Sequence, residues 1–211
     1  MYSIVFVVFI LYKVALSLDE PYSQLRISNG YPVFDWFSEL PLNLCNLGII
    51  LTVVGLMADS KPILGFVFFT NSLGAFAAMI VPPMEFSGFS ILVPRIAGYY
   101  LTHIAVMLIM PILAGLKLFR PRYSDILPVL LALFATTLVI TGINLLFIKT
   151  GLSEAANYFY TMDPNGISIL EFLYKLIPIP WVYQLPLIVI AVPYMLIVSF
   201  FFNIKSRKKA A

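Results

Sequence analysis

Along the chain, apolar runs long enough to cross a membrane alternate with polar stretches. A helical crossing of the hydrocarbon core takes about 20 mostly apolar residues. Segments of that kind run from Tyr2 to Leu18, Glu39 to Ala58, Pro62 to Val81, Ile96 to Leu116, Ile126 to Ile148 and Trp181 to Phe202. The first is interrupted by Lys13. It has no basic leader and no convincing small-x-small cleavage pattern, so it reads as a retained helix and not as a signal peptide. The pattern predicts an all-α membrane protein, a bundle of six transmembrane helices forming a single integral membrane domain over residues 1–211.

The connections on one side are short, such as Asp59-Ser60-Lys61, whereas those on the other are long. Asp19 to Ser38, Pro82 to Arg95 and Lys149 to Pro180 are expected to make a cap over the bundle. In the last of these, Met162-Asp163-Pro164-Asn165-Gly166 has the residues of a tight turn. Ser168 and Glu171 then read as a capping box opening a short helix from Ile167 to Leu176, stopped by Pro178 and Pro180. Ile169, Phe172, Leu173 and Leu176 are expected to share one face of it. The helix then lies in the outer interface or packs over the bundle. Trp36, Trp181 and Tyr183 stand where an aromatic belt is expected.

Composition and charge sharpen the picture. Apolar residues make up 61% of the 211 and charged residues 11%, against roughly 45–50% and about 25% in a soluble domain. A chain this small has no interior large enough to hide that much hydrocarbon, so lipid must be its solvent. One cysteine rules out a disulfide scaffold. The short-loop side carries eight basic residues, from Lys61 to Lys209, against Asp59 and Asp125. The long-loop side carries four basic residues (Arg26, Arg95, Lys149, Lys175) against eight acidic ones. Lysine and arginine collect in cytoplasmic loops, which predicts a multi-pass plasma-membrane protein with both termini cytoplasmic. Lys13 is expected to snorkel outward toward Asp19 and Glu20. The basic tail reads as a topology anchor on anionic lipid and not as a nucleic-acid site.

Lipid does not solvate polar side chains, so those inside spans are the candidates for function. Cys45 lies six residues past Glu39 and His103 eight past Arg95, roughly 9 and 12 Å below the outer helix ends at 1.5 Å per residue. The sole cysteine and the sole histidine are thus expected at similar depth. A thiol beside an imidazole is a nucleophile with its base, able to attack an ester carbonyl. Asparagines could orient the ring or donate to an oxyanion. Cys45 and His103 are the candidate catalytic pair. Asn43, Asn46, Tyr99, Thr102, Asn144 and Gln184 are candidate substrate-binding residues, and Asn71 falls nearer mid-membrane. The plainer alternative stays open, with Cys45 a small hydrophobe and the amides, threonines and histidine hydrogen-bonding between helices. Gly74 and Ala78 are spaced for close helix approach. No phosphate loop, HExxH or carboxylate cluster is present, so no metal or cofactor is expected.

Leu40-Pro41-Leu42-Asn43-Leu44-Cys45 resembles the LPLHLC segment of the YwaF-like bacterial integral membrane proteins, and Tyr100-Leu101-Thr102-His103 resembles that family's aromatic-LSH segment. Asn157-Tyr158-Phe159-Tyr160 with Pro164 and Pro178-Ile179-Pro180-Trp181 is similar to its NYMYL…KP…WPW ending. Asn43 stands where that pattern has a histidine. More distantly, the family is similar to eukaryotic transmembrane proteins implicated in moving acyl chains between phospholipids, in which a cysteine and a histidine matter. The resemblance implies a bacterial membrane protein acting on membrane lipid, with Cys45 and His103 as the reacting residues. A non-enzymatic binding, transport or accessory subunit, for a small amphipathic ligand or a membrane-protein partner, is the other reading; it expects a cavity continuing toward Asn71.

Overall fold

The computed structural model describes residues 11–28, 35–82, 86 and 88–207, and the regular structure among them is helical. Residues 11–17 are helical (α1). Then follow α2 (Glu20–Ser28), α3 (Leu44–Met57), α4 (Lys61–Ile80), α5 (Pro94–Gly115), α6 (Ile126–Thr150), α7 (Ser168–Leu176) and α8 (Ile188–Arg207). Helices α4, α5, α6 and α8 are long and apolar enough to cross a membrane, and α3 is a shorter apolar helix. The first expected span lies outside the described residues for residues 1–10, as do Glu85, Lys208 and Lys209.

Helix α4 is the axle. Its residues from Leu64 to Asn71 are buried without a break, as expected of a helix apolar on every side. Helices α3, α5 and α6 all pack on it. At one end, Leu64, Phe68, Phe119, Ile126 and Val129 form a closed core, with Phe68 and Phe119 rings 5.2 Å apart. A cap closes the other end, built from α2, residues 35–43, and the chain between α6 and α8. Helix α6 stops at Gly151, whose φ of 70° suits a residue without Cβ.

Several boundaries differ from expectation. The second span is shorter, because residues 40–43 form turns with Pro41 among them and Asn43 is the N-cap of α3. At 14 residues, α3 is about 21 Å long. The last span holds close to its expected bounds, at Val182–Asn203, but opens with a 3-10 segment, Val182–Leu187, that contains Pro186, so its α-helical part begins only at Ile188. The loop after the first span contains α2. The turn at Pro164 forms, with Ile167 N donating to Pro164 O at 3.1 Å and Asn165 and Gly166 both at positive φ. The capping box does not. Ile167 is the N-cap, and Glu171 instead accepts from Gly166 N at 3.2 Å. Leu173 faces inward with Leu170 against Tyr183, leaving Ile169, Phe172 and Leu176 as the exposed face. Tyr183 is fully buried and belongs to no belt. The tightest approach of α3 to α4 is not at Gly74 but at Gly48, where a Cβ would meet the Asn71 amide at 1.8 Å. Neither amide atom of buried Asn71 has a hydrogen-bond partner.

Candidate functional site

Helices α3 and α6 splay apart on α4, and the gap between them, extended by the start of α8, is a cavity of about 1270 Å3. At the cap end its wall is polar, with Glu39 and Arg95, Asn43, Cys45 and Asn46 where α3 starts, and Tyr99, Thr102 and His103 on α5. Toward the opposite end the wall is Ile49, Ile50, Val53 and Val54 of α3 facing Leu130, Leu133, Phe134 and Thr137 of α6. The Thr137 hydroxyl donates to its own helix, to Leu133 O at 2.9 Å, so that half presents hydrocarbon. Polar groups converging above an apolar pocket suit an amphipathic ligand.

An ion cluster anchors the polar end. Lys13 Nζ donates to Glu39 Oε2 at 2.7 Å, Arg95 Nη1 lies 3.4 Å from the same oxygen, and the Tyr22 hydroxyl donates to Glu39 Oε1. Lys13 therefore does not snorkel toward Asp19 and Glu20. It is 3% exposed and paired with a carboxylate that is 6% exposed. A charge so deeply buried persists only when paired. Glu39 stands in the cap loop, before the first residue of α3. Burial there raises its pKa, but Arg95 and then Lys13 outweigh it and hold the carboxyl at about 2. Gly98 makes room for this corner, since a Cβ there would meet the Tyr12 hydroxyl at 2.1 Å.

The roof is the segment after α6. Asn144, expected among the ligand-binding residues, does not line the cavity. It is fully buried, donates to Tyr158 O and Thr161 Oγ1 at 2.9 Å each, and accepts from Tyr158 N at 3.1 Å. Its amide is spent on the backbone that the cap would otherwise leave unpaired. The Tyr158 hydroxyl donates to Phe37 O at 2.5 Å and accepts from Leu40 N at 2.9 Å, joining both halves of the cap. Burial raises its pKa, so it stays protonated. Phe159 and Tyr160 have φ of 58° and 56°, a left-handed conformation disfavoured for residues with a Cβ. Gln184 holds them there, donating to both carbonyls at 2.7 and 2.9 Å. Gln184 lines the cavity as well.

The two reactive side chains share the cavity from unequal positions along their helices. Cys45 is the second residue of α3, whereas His103 is a further two turns into α5. Side chains lean toward a helix N-terminus, which on α5 is the cap end. His103 Nδ1 lies 2.7 Å from Tyr99 O. A carbonyl oxygen only accepts, so Nδ1 carries the proton of the neutral ring and Nε2 keeps its lone pair. The Tyr99 ring lies 4.1 Å from the imidazole, and its hydroxyl donates to Ala78 O at 2.8 Å, tying α5 to α4. No hydrogen bond joins Cys45 to His103 among the described residues. Asn43, Asn46 and Thr102 reach the same cavity.

Sequence reasoning missed Lys13, Glu39, Arg95 and Tyr158 as lining residues. Lys13 carried the available signal, because a lysine inside an apolar run needs a partner. The partner's identity was hidden by sequence distance. The fold and this lining define an all-helical membrane protein with a roofed, amphipathic cavity. The model of the TMEM164 family matches residues 1–202, and the chain belongs to that family. Comparison with curated proteins finds no match, and comparison with solved structures finds none.

Proposed function

We propose that this protein handles membrane-lipid acyl chains and transfers them through a thioester on Cys45. It does so as a six-span bacterial plasma-membrane protein with both termini in the cytoplasm and the cap facing outward. The carrying observation is that the thiol and the imidazole line one cavity that is polar at one end and apolar at the other. The likeness of the Leu40 to Cys45 and Tyr100 to His103 segments to YwaF-like proteins, and more distantly to eukaryotic acyl-transfer proteins, supports the same reading.

In the first half-reaction His103 Nε2 takes the thiol proton and the sulfur attacks the ester carbonyl carbon of a lipid. The tetrahedral intermediate collapses by breaking the C–O bond, and the departing alcohol takes the proton from His103. In the second, a lysolipid hydroxyl gives its proton to His103 and attacks the thioester; the C–S bond breaks as the new ester forms, and His103 returns the proton to the departing sulfur. In this reading the Asn43 and Asn46 amides, which line the same cavity, donate to the oxyanion. Closing the Cys45 to His103 contact is part of substrate binding, as catalytic hydrogen bonds often tighten only with substrate present.

The test is acyl transfer from phosphatidylcholine to lysophospholipid in vesicles holding the purified protein. Cys45→Ala should abolish transfer, and His103→Gln should lower it at least about a hundredfold, with unchanged thermal unfolding. Equal transfer by Cys45→Ala and wild type would eliminate the thioester. A second reading, a lipid-binding subunit without chemistry, is favoured by the unjoined thiol and imidazole. Under it, Asn43→Ala and Asn46→Ala release co-purifying lipid while Cys45→Ala does not.

A further inference from the structure

The apolar half of the cavity has a side and a floor. Its side is open to the bilayer, because Ile50, Val54, Phe134 and Ile188 line it and are each at least 41% exposed. Its floor is closed. Leu130 and Leu133 rest on the core of Leu64, Phe119, Ile126 and Val129, and at the level of Val54 the next residue, Gly55, is already pressed against Leu64. Helices α4 and α5 contribute lining only near the cap, through Gly74, Ala78, Gly98, Tyr99, Thr102 and His103. The deeper part is therefore a slot between α3 and α6, with Ile188 and Ala191 at the start of α8 beside it.

Cys45 and Val54 both line the cavity from α3, nine positions apart along the helix and at opposite edges of the broad arc it presents, with Asn46, Ile49, Ile50 and Val53 between them. That span is about 13–14 Å of helix, close to the roughly 15 Å of hydrocarbon in one leaflet. A chain whose carbonyl sits at the Cys45 sulfur crosses the Ile49 and Val53 surface of α3 as it descends and reaches the floor with its terminal carbons. A longer chain must turn out sideways into lipid, and a shorter one leaves the floor in contact with nothing.

We propose that the α3–α6 slot selects acyl chains by length, with Val54 and Leu130 at its floor as the specificity-determining residues. This inference rests on the acyl-transfer reading and adds a substrate preference to it. Nothing polar lies in the slot to read a headgroup, so discrimination there is by hydrocarbon fit. Each methylene misfitted in an apolar pocket changes relative use by roughly tenfold or more.

Transfer is measured in vesicles offering phosphatidylcholines with lauroyl, myristoyl and palmitoyl chains in equal amounts. Val54→Trp and Leu130→Trp fill the floor and should shift use toward lauroyl by roughly tenfold. Val54→Ala deepens the slot without adding bulk and should shift use toward palmitoyl; it decides the matter should the tryptophan variants not fold. Cys45→Ala runs alongside. An unchanged chain profile in the folded floor variants, with Cys45→Ala inactive, overturns the slot and leaves acyl transfer standing. Full transfer by Cys45→Ala overturns the thioester, and the slot as its chain selector falls with it.

Discussion

Glu39, in the loop that leads into α3, ties three other parts of the chain to its carboxylate. Lys13 of α1, Tyr22 of α2 and Arg95 of α5 all converge on it. Its pKa lies at about 2, below the ordinary 4.5. A depressed carboxylate stabilises the fold above its ordinary pKa, and that contribution disappears as pH falls toward the folded value. Thermal unfolding in detergent should therefore drop between about pH 4.5 and 2 in wild type, and much less in Glu39→Gln. At neutral pH the same variant removes the carboxylate that Lys13 and Arg95 share, and breaking such a buried ion pair costs about 3–5 kcal/mol. A wild-type profile no steeper than that of Glu39→Gln would contradict the role. Lys13 was legible as an anomaly in an apolar run. Its partner was not, because 26 positions separate them in sequence and only the packing of the cap brings them together.

At the level of elements, the apolar runs mapped onto helices with small shifts, and the shifts have local causes. Pro41 and the Asn43 cap delay α3, and the 3-10 segment around Pro186 delays α8. Helix α7 was legible as an element but rotated from its expected orientation. Leu170 and Leu173 pack on Tyr183, and Ile169, Phe172 and Leu176 face out. Apolar spacing defines a stripe but not which edge of it meets protein when neighbours on both sides are apolar. An exposed stripe of this kind on the cap is expected to lie in the headgroup region of a bilayer. Tryptophan emission from Phe172→Trp, in a background with both native tryptophans changed to Phe, should be quenched by lipids brominated high on the chain. Emission insensitive to those lipids would take α7 out of the interface.

Taken as a whole, the molecule is a central helix with its neighbours splayed on it, and the splay makes the cavity. Charge asymmetry between the two loop sets predicts which end faces out. In intact cells carrying Cys45→Ser, Asn165→Cys in the cap turn should react with an impermeant maleimide, while a reporter fused to the C-terminus should behave as cytoplasmic. Labelling of Asn165→Cys only after permeabilisation would invert the topology. The six candidate ligand-binding positions illustrate how far the sequence reaches. Five of them, Asn43, Asn46, Tyr99, Thr102 and Gln184, line the cavity with Cys45 and His103, whereas Asn144 turns into the roof to satisfy Tyr158.

The helical, lipid-embedded character of the chain was decided by sequence alone, because lipid demands long apolar runs with internally paired backbone and such runs are local. Tertiary structure alone decided that Lys13 meets Glu39, that Asn144 serves the cap, and that the thiol and the imidazole open onto one hollow. Those outcomes depend on how each helix is rotated and how far it stands from its neighbours. In a chain apolar on nearly every face, hydrophobicity does not single out one rotation; a few polar contacts and small residues such as Gly48 and Gly98 do.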